Sequence, residues 1–531
     1  MSQVQLASQS QQQSQQSQQQ VSQAVDVFPR IRISELREIY DRMLLIGPPG
    51  IGKTERLNTL SIFEAYNIAR SRGLELRFWC EYIDPGFCRE RYRWVCSEVS
   101  DLPICKERYE PPPPDHSFVF VDVRDLLSFY EKDSYAVKDL IKRMVSSPQN
   151  FYLYQRIIAP HLRPEDIQIP NLRKTDVPGI SFDVPSPLAL MTIPGVHGLL
   201  FIDEITNLPS PVHASMYFSI IQEREIGLGN KLSDKIKIVA AGNPASWSTA
   251  AVTASTLPEP LINRMVVYYI LPPTVEEWIE YMSKRGILNE AVMVYLSVNR
   301  DALLASEQEL EKIRELENKQ GEPINFNSPR SWTILSSILN TPSVQKLVED
   351  YRRGSGNEAS VAEAHLRAIV YGTIGPIRGR EFLLFLKASP DDPKEILSSP
   401  ESYLRKYNDS IMSAEASNDP KAKENASFLL SKLIVSLFHL GKYAISRYAE
   451  GAGDKDIVPG LAKVIALILE RRFIKIIPEA VTAVLYGILS YKGPDARRKK
   501  IEFIEKLYKD ENLKKTRFFI IATNAMRMIG G

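Results

Sequence analysis

The sequence predicts an α/β fold: a doubly wound parallel sheet of five strands, followed by helices alone. Three observations predict it. Five short apolar, β-branched runs, Met43 to Ile46, Phe118 to Val123, Leu199 to Ile202, Ile236 to Ala241 and Val266 to Ile270, are separated by helical patterns, as expected for strands buried on both faces of a parallel sheet. The first run leads directly into a glycine-rich loop and a helix. After Pro272 and Pro273 the strand-like runs stop and amphipathic helical spacing continues to the last residues.

A chain of 531 residues is too long for one core and divides into about three domains of roughly 150 residues. Residues 1–25 are almost entirely Gln, Ser, Val and Ala, too poor in apolar surface to offset the entropy of ordering, and read as a disordered tail. Residues 26–273 hold the sheet. Residues 274–375 read as a helical lid, with amphipathic runs at Val275 to Lys284, Asp301 to Glu317 and Arg330 to Leu339. Residues 376–531 read as a further all-helical domain, with polar breaks near Ser417 to Pro420 and Gly451 to Asp456.

Composition bounds the function classes. Hydrophobic residues at 44% and charged residues at 24% exclude wholesale disorder. Lysine plus arginine (66) nearly balances aspartate plus glutamate (64), so no long-range field draws the chain to nucleic acid or an anionic membrane. The longest apolar stretches, Ile193 to Ile205 and Gly460 to Leu469, are interrupted or too short to span a bilayer, and no membrane partner is expected. The first residues lack the basic and apolar regions of a signal peptide, so a cytoplasmic location is expected. Basic clusters at Arg471–Arg472, Arg497–Lys500 and Lys514–Arg517 are interleaved with Glu470, Glu502 and Glu505 and read as solvated helix faces rather than a nucleic-acid grip.

All four cysteines, Cys80, Cys88, Cys96 and Cys105, fall between Leu74 and Asp115, an aromatic-rich segment that ends in the Pro111–Pro114 run and reads as an insertion or elaborated connection. Their spacing lacks the Cys-x-x-Cys knuckle of a recognisable zinc site, although His116 is near enough in sequence to add a ligand. Zinc, disulfides and reduced thiols all stay open, disulfides chiefly for a hyperthermophilic host.

The chemistry is carried by two short segments. Gly47-Pro48-Pro49-Gly50-Ile51-Gly52-Lys53-Thr54 fits the P-loop pattern, follows the strand Met43 to Ile46 and opens a helix. The glycines let backbone N–H groups curl around phosphates at a helix N-terminus whose dipole favours anions. Lys53 is expected on the β- and γ-phosphates of ATP and the Thr54 hydroxyl on magnesium. Leu199-Leu200-Phe201-Ile202-Asp203-Glu204 is an apolar strand ending in two carboxylates, which places them at the carboxyl edge where open α/β sheets bind ligands. Asp203 is the expected acid of the magnesium shell, and Glu204 the expected base that orients or deprotonates the attacking water.

Four segments in register, Gly198–Asn207 (GLLFIDEITN), Ala240-Ala241-Gly242-Asn243-Pro244, Leu257-Pro258-Glu259-Pro260-Leu261-Ile262-Asn263-Arg264 and Asn327-Ser328-Pro329-Arg330-Ser331-Trp332, together resemble the MoxR family of AAA+ ATPases over roughly residues 31 to 372. The resemblance implies that Asn243 is a sensor holding the attacking water near the γ-phosphate. It implies that Arg264 is an arginine finger reaching into a neighbouring subunit, and that Arg330 is a lid sensor for the γ-phosphate. Gly179–Pro187 resembles the small hairpin inserted into helix 2 of such ATPases, and equally fits any surface hairpin. Asp-Glu-Ile-Thr-Asn departs from the commoner Asp-Glu-Ile-Asn-Arg, marking a divergent branch, and neither the cysteine segment nor the end domain belongs to the family core.

A homo-oligomeric ring, hexameric by the family's habit, follows from the resemblance, as does chaperone-like remodelling of a protein client, with von Willebrand factor A domain proteins as the implied partner class. Two alternatives remain: a motor acting on DNA or RNA, and an assembly scaffold with little turnover, the latter opposed by the joint presence of Glu204, Asn243 and Arg264.

Overall fold

The computed structural model describes residues 29–106, 117–130, 132–162, 169–171, 181–183, 188–209, 211–227, 229–244, 247, 257, 259–354, 356–417, 419–451, 454–514, 516–518 and 520–523. The Gln/Ser-rich tail, the proline run and His116 lie outside them. The chain forms two compact units, Met1–Pro272 and Pro273–Gly531.

Among the described residues the first unit holds ten strands: β1 (Arg30–Arg32), β2 (Met43–Ile46), β3 (Glu75–Phe78), β4 (Ser117–Asp122), β5 (Phe151–Ile158), β6 (Ile169–Asn171), β7 (Ser181–Asp183), β8 (His197–Asp203), β9 (Ile236–Gly242) and β10 (Val266–Leu271). Eight make one sheet in the order β1-β10-β2-β9-β8-β5-β4-β3, every pair parallel. The five expected strands are β2, β4, β8, β9 and β10, so the doubly wound parallel sheet is as expected but eight strands wide rather than five. β4 is buried at all six positions and β8 at all but His197, which is why their sequences read as unbroken apolar runs. β6 and β7 pair antiparallel as a separate two-stranded sheet, Ile169 opposite Asp183; of the segment Gly179–Pro187 only Ser181–Asp183 is among the described residues.

Of the two readings of the cysteine segment, the elaborated connection holds. It begins with β3, the edge strand paired to β4. Beyond β3 it folds into short helical turns closed by two disulfides, Cys80–Cys88 and Cys96–Cys105. All four sulfurs are consumed pairwise, so the zinc alternative is withdrawn: a disulfide sulfur has no thiolate charge to offer a metal. Asp84 caps the helix Pro85–Tyr92, accepting the Phe87 N–H at 2.9 Å, and the Tyr92 ring stacks on Phe78 of β3 at 4.1 Å.

In the second unit the expected runs form the helices Val275–Lys284, Glu307–Gln320 and Pro329–Leu339. The run from Asp301 to Glu317 is split, because Ser306 caps a new start by accepting the Glu309 N–H at 3.2 Å. The expected division near residue 375 is not a break in packing: Trp332 meets Phe382 edge to face at 5.3 Å, and one core runs from Val275 to Ala522. Its axis is the 30-residue helix Pro420–Ala449, whose mean hydropathy of 1.4 over its most apolar window makes it long and apolar enough to cross a membrane, contrary to the expectation from shorter stretches. Leu433, Ile434, Leu437, Leu440 and Ile445 are nevertheless buried among neighbouring helices. It meets the helix Ala480–Leu489 at Gly441 and Gly487, where a Cβ on either glycine would run into the other helix's backbone.

Candidate functional site

β9 lies between β2 and β8, and register does the rest: Ile46 pairs with Gly242, and Ile202 with Ala240. The loop after β2, the asparagine after β9 and the acid ending β8 are thereby brought side by side at the carboxyl edge, although 190 residues separate Lys53 from Asn243.

Gly52 caps the helix Lys53–Ser71 with φ of 94°, a left-handed conformation that an L side chain would strain. The turn folds Lys53 back under its own loop, where it is 8% exposed. Its Nζ donates to the Gly47 carbonyl at 2.7 Å, the Pro48 carbonyl at 2.9 Å and Asn243 Oδ1 at 3.0 Å. The Asn243 backbone N–H donates to Thr206 Oγ1 at 3.1 Å, tying the end of β9 to the turn after β8. Thr54 Oγ1 donates to Asp203 Oδ2 at 3.1 Å, and the Glu204 N–H to Asp203 Oδ1 at 3.0 Å. Glu204 is exposed and left-handed, with φ of 58°, a conformation uncommon for a non-glycine residue and concentrated at functional sites.

Of the expected residues, Gly47 to Thr54, Asp203, Glu204 and Asn243 come together. Arg264 stands apart: its guanidinium donates to the Pro260 carbonyl and lies over the Phe218 ring at 4.3 Å. Arg330 belongs to the second unit, exposed in the first turn of the helix Pro329–Leu339, beside its capping Ser328.

One residue at the site was invisible to spacing. Arg156 of β5 donates from Nε and Nη2 to Asp203 Oδ2 at 3.0 and 2.7 Å. The sequence signal was the polar pair Gln155-Arg156 inside the apolar run FYLYQRII, since charge late in a buried parallel strand marks its ligand-facing end.

The donor set suits a nucleotide. Backbone N–H groups at the start of a 19-residue helix and the Lys53 ammonium are available for phosphates. Thr54 and Asp203 present two hard oxygens 3.1 Å apart, which fits magnesium, an ion that takes few protein ligands besides substrate phosphates and water.

A second polar group lies farther along the same edge. Asp122 ends β4 and takes the guanidiniums of Arg91 at 3.2 Å and Arg124 at 2.5 Å, while Arg91 also reaches Asp125 at 2.9 Å. Burial, reinforced by the Asp122 charge, pushes the Asp125 carboxyl up to about 6. Arg91, Arg124 and Asp125 border a cavity of about 380 Å³ shared with Phe87, Phe129 and Lys132.

The chain matches no family model and no curated protein. Among solved structures it is similar to the Aeropyrum pernix ORC2 protein in its ADPNP–ADP complexes, at 11% identity over 93% of this chain and 89% of that one, with a TM-score of 0.22. At that score the functional argument rests on the chain's own residues.

Proposed function

We propose that the chain is a magnesium-dependent ATPase of the ring-forming AAA+ type, similar to MoxR ATPases, that remodels protein partners. The observation that carries the ATPase reading is the convergence of Lys53, Thr54, Asp203 and Asn243 at one sheet edge. Lys53 exchanges the Gly47 and Pro48 carbonyls for the β- and γ-phosphates. Thr54 and Asp203 would hold magnesium, which would supply positive charge beside the phosphates. Glu204, exposed at the end of β8, orients the attacking water and accepts its proton. Asn243 fixes that water from just beyond β9. Arg264, which has no partner in the P-loop group among its described contacts, serves the site of an adjacent subunit, and Arg330 senses the γ-phosphate from the helical unit. This division of labour makes turnover depend on assembly, into a six-membered ring on the MoxR pattern. The protein-client reading, including von Willebrand factor A domain partners and a cytoplasmic setting, rests on the MoxR-like segments alone.

The test is steady-state phosphate release from Mg-ATP across protein concentration, with and without single-stranded DNA, duplex DNA and RNA. Specific activity that rises with concentration and ignores nucleic acid is the expected result. Severalfold stimulation by nucleic acid would replace the remodelling reading with a nucleic-acid motor, and no release under any condition would overturn the ATPase reading.

A further inference from the structure

The oxygen of Asp203 that a metal needs is already occupied. Asp203 Oδ2 accepts from Thr54 at 3.1 Å and from Arg156 twice, at 3.0 and 2.7 Å. The other carboxylate oxygen faces the Glu204 N–H at 3.0 Å. The oxygen beside the Thr54 hydroxyl is therefore the one a divalent cation shared by the two residues must use, and a guanidinium cannot stay in contact with it without strong repulsion from that cation. Arg156 has somewhere to go. Its side chain is 26% exposed, and the hydroxyl of Tyr154, two residues earlier on the same face of β5, is buried without a hydrogen-bond partner, a vacancy that costs free energy until a donor fills it.

We infer that Arg156 is a positioning residue that covers the metal-facing oxygen of Asp203 in the empty site and gives it up when metal-bound nucleotide enters, an inference that rests on the ATPase reading above. Two consequences follow from charge alone. While Arg156 is in place, Asp203 is neutralised, so a metal-free nucleotide meets no bare carboxylate beside its phosphates. Metal, for its part, must compete with two guanidinium N–H donors that converge on the same oxygen. Arg156 thus narrows the gap between metal-free and metal-bound nucleotide affinity.

The test measures the dissociation constant of a fluorescent ADP analogue, N-methylanthraniloyl-ADP, in excess EDTA and in saturating magnesium, for the wild-type chain, Arg156→Gln and Arg156→Lys. Arg156→Gln is expected to raise the ratio of metal-free to metal-bound dissociation constants by on the order of tenfold and to lower the magnesium concentration at half-effect. Arg156→Lys, which keeps the charge, should stay near the wild-type ratio even if the glutamine variant folds poorly. In an Asp203→Asn background the Arg156→Gln effect should vanish. Equal weakening of both constants would mean a merely structural arginine and would overturn the inference, as would an unchanged ratio. A wild-type chain that binds no nucleotide at all would overturn the ATPase reading itself, a distinguishable result.

Discussion

Lys53 is held in place by its own loop before any phosphate arrives, with two backbone carbonyls and Asn243 around the ammonium. Lys53→Ala removes both the phosphate contact and the cation that organises the loop, so nucleotide binding should be lost, as read by equilibrium fluorescence titration. Glu204→Gln should leave binding intact while lowering phosphate release by about 10²–10⁴-fold, the usual contribution of a positioned base; unchanged release would remove Glu204 from that role. Asp125 gives a pH prediction. Its folded pKa of about 6 lies above the ordinary 3.8, so the native state holds the proton more tightly than the unfolded chain. The stability this contributes is fully present below about pH 4 and is lost as pH rises through about 6. The melting temperature of the wild type relative to Asp125→Asn should therefore fall over that window and level off above it. The groups around Asp125, namely Arg91, Asp122, Arg124 and Tyr92, are shared by both proteins. Lys53, Thr54 and the Asp203–Glu204 pair were legible in sequence because each motif is contiguous and its chemistry is local. Arg156 was not, since its pairing with Asp203, 47 residues on, exists only because β5 lies beside β8.

At the scale of elements, four of the five strands that announced themselves, β2, β4, β8 and β9, are buried almost throughout, and β10, with only Ile270 buried, was legible from its apolar, β-branched residues alone. β1 is three residues of RIR and β3 reads ELRF with an exposed start, so both edge strands lack the apolar run that marks a central strand. β5 is central and nearly all buried, but its Gln155 and Arg156 interrupt the run at the end that meets the site. The disulfide pairing was equally hidden, because it depends on the helix Pro85–Tyr92 folding back on the turn Trp79–Tyr82. Within the helical unit the crossing of Pro420–Ala449 with Ala480–Leu489 depends on two glycines, because the Cβ of a residue in place of Gly487 would strike the Phe438 carbonyl and that of one in place of Gly441 the Val484 carbonyl. Here the obstacle is backbone, which cannot rotate aside. Gly441→Ala or Gly487→Ala should cost about 1–3 kcal/mol or more, measured by urea denaturation; a loss below a few tenths would show that the helices are free to separate.

For the whole molecule, near-zero net charge and two separate cores frame how the chain works. The first unit carries Lys53, Thr54, Asp203, Glu204, Asn243 and Arg264, whereas Arg330 lies in the second. Arg264→Ala should bind nucleotide normally and lose turnover by roughly a thousandfold. Mixing Arg264→Ala with Glu204→Gln subunits should restore part of the activity, because some interfaces then pair an intact Glu204 with an intact Arg264. If mixed assemblies stay silent at every ratio, Arg264 does not act across an interface.

The seam between the two units falls between Pro272 and Pro273. Neither residue carries an amide hydrogen, so the peptide that joins the units gives no hydrogen-bond donor to either. A genetic crossover at those two codons would leave the sheet with its complete set of strands and the helical unit with all its helices. Descent can exchange one half while conserving the other, so lineages that inherit the same sheet unit are free to carry different helical units.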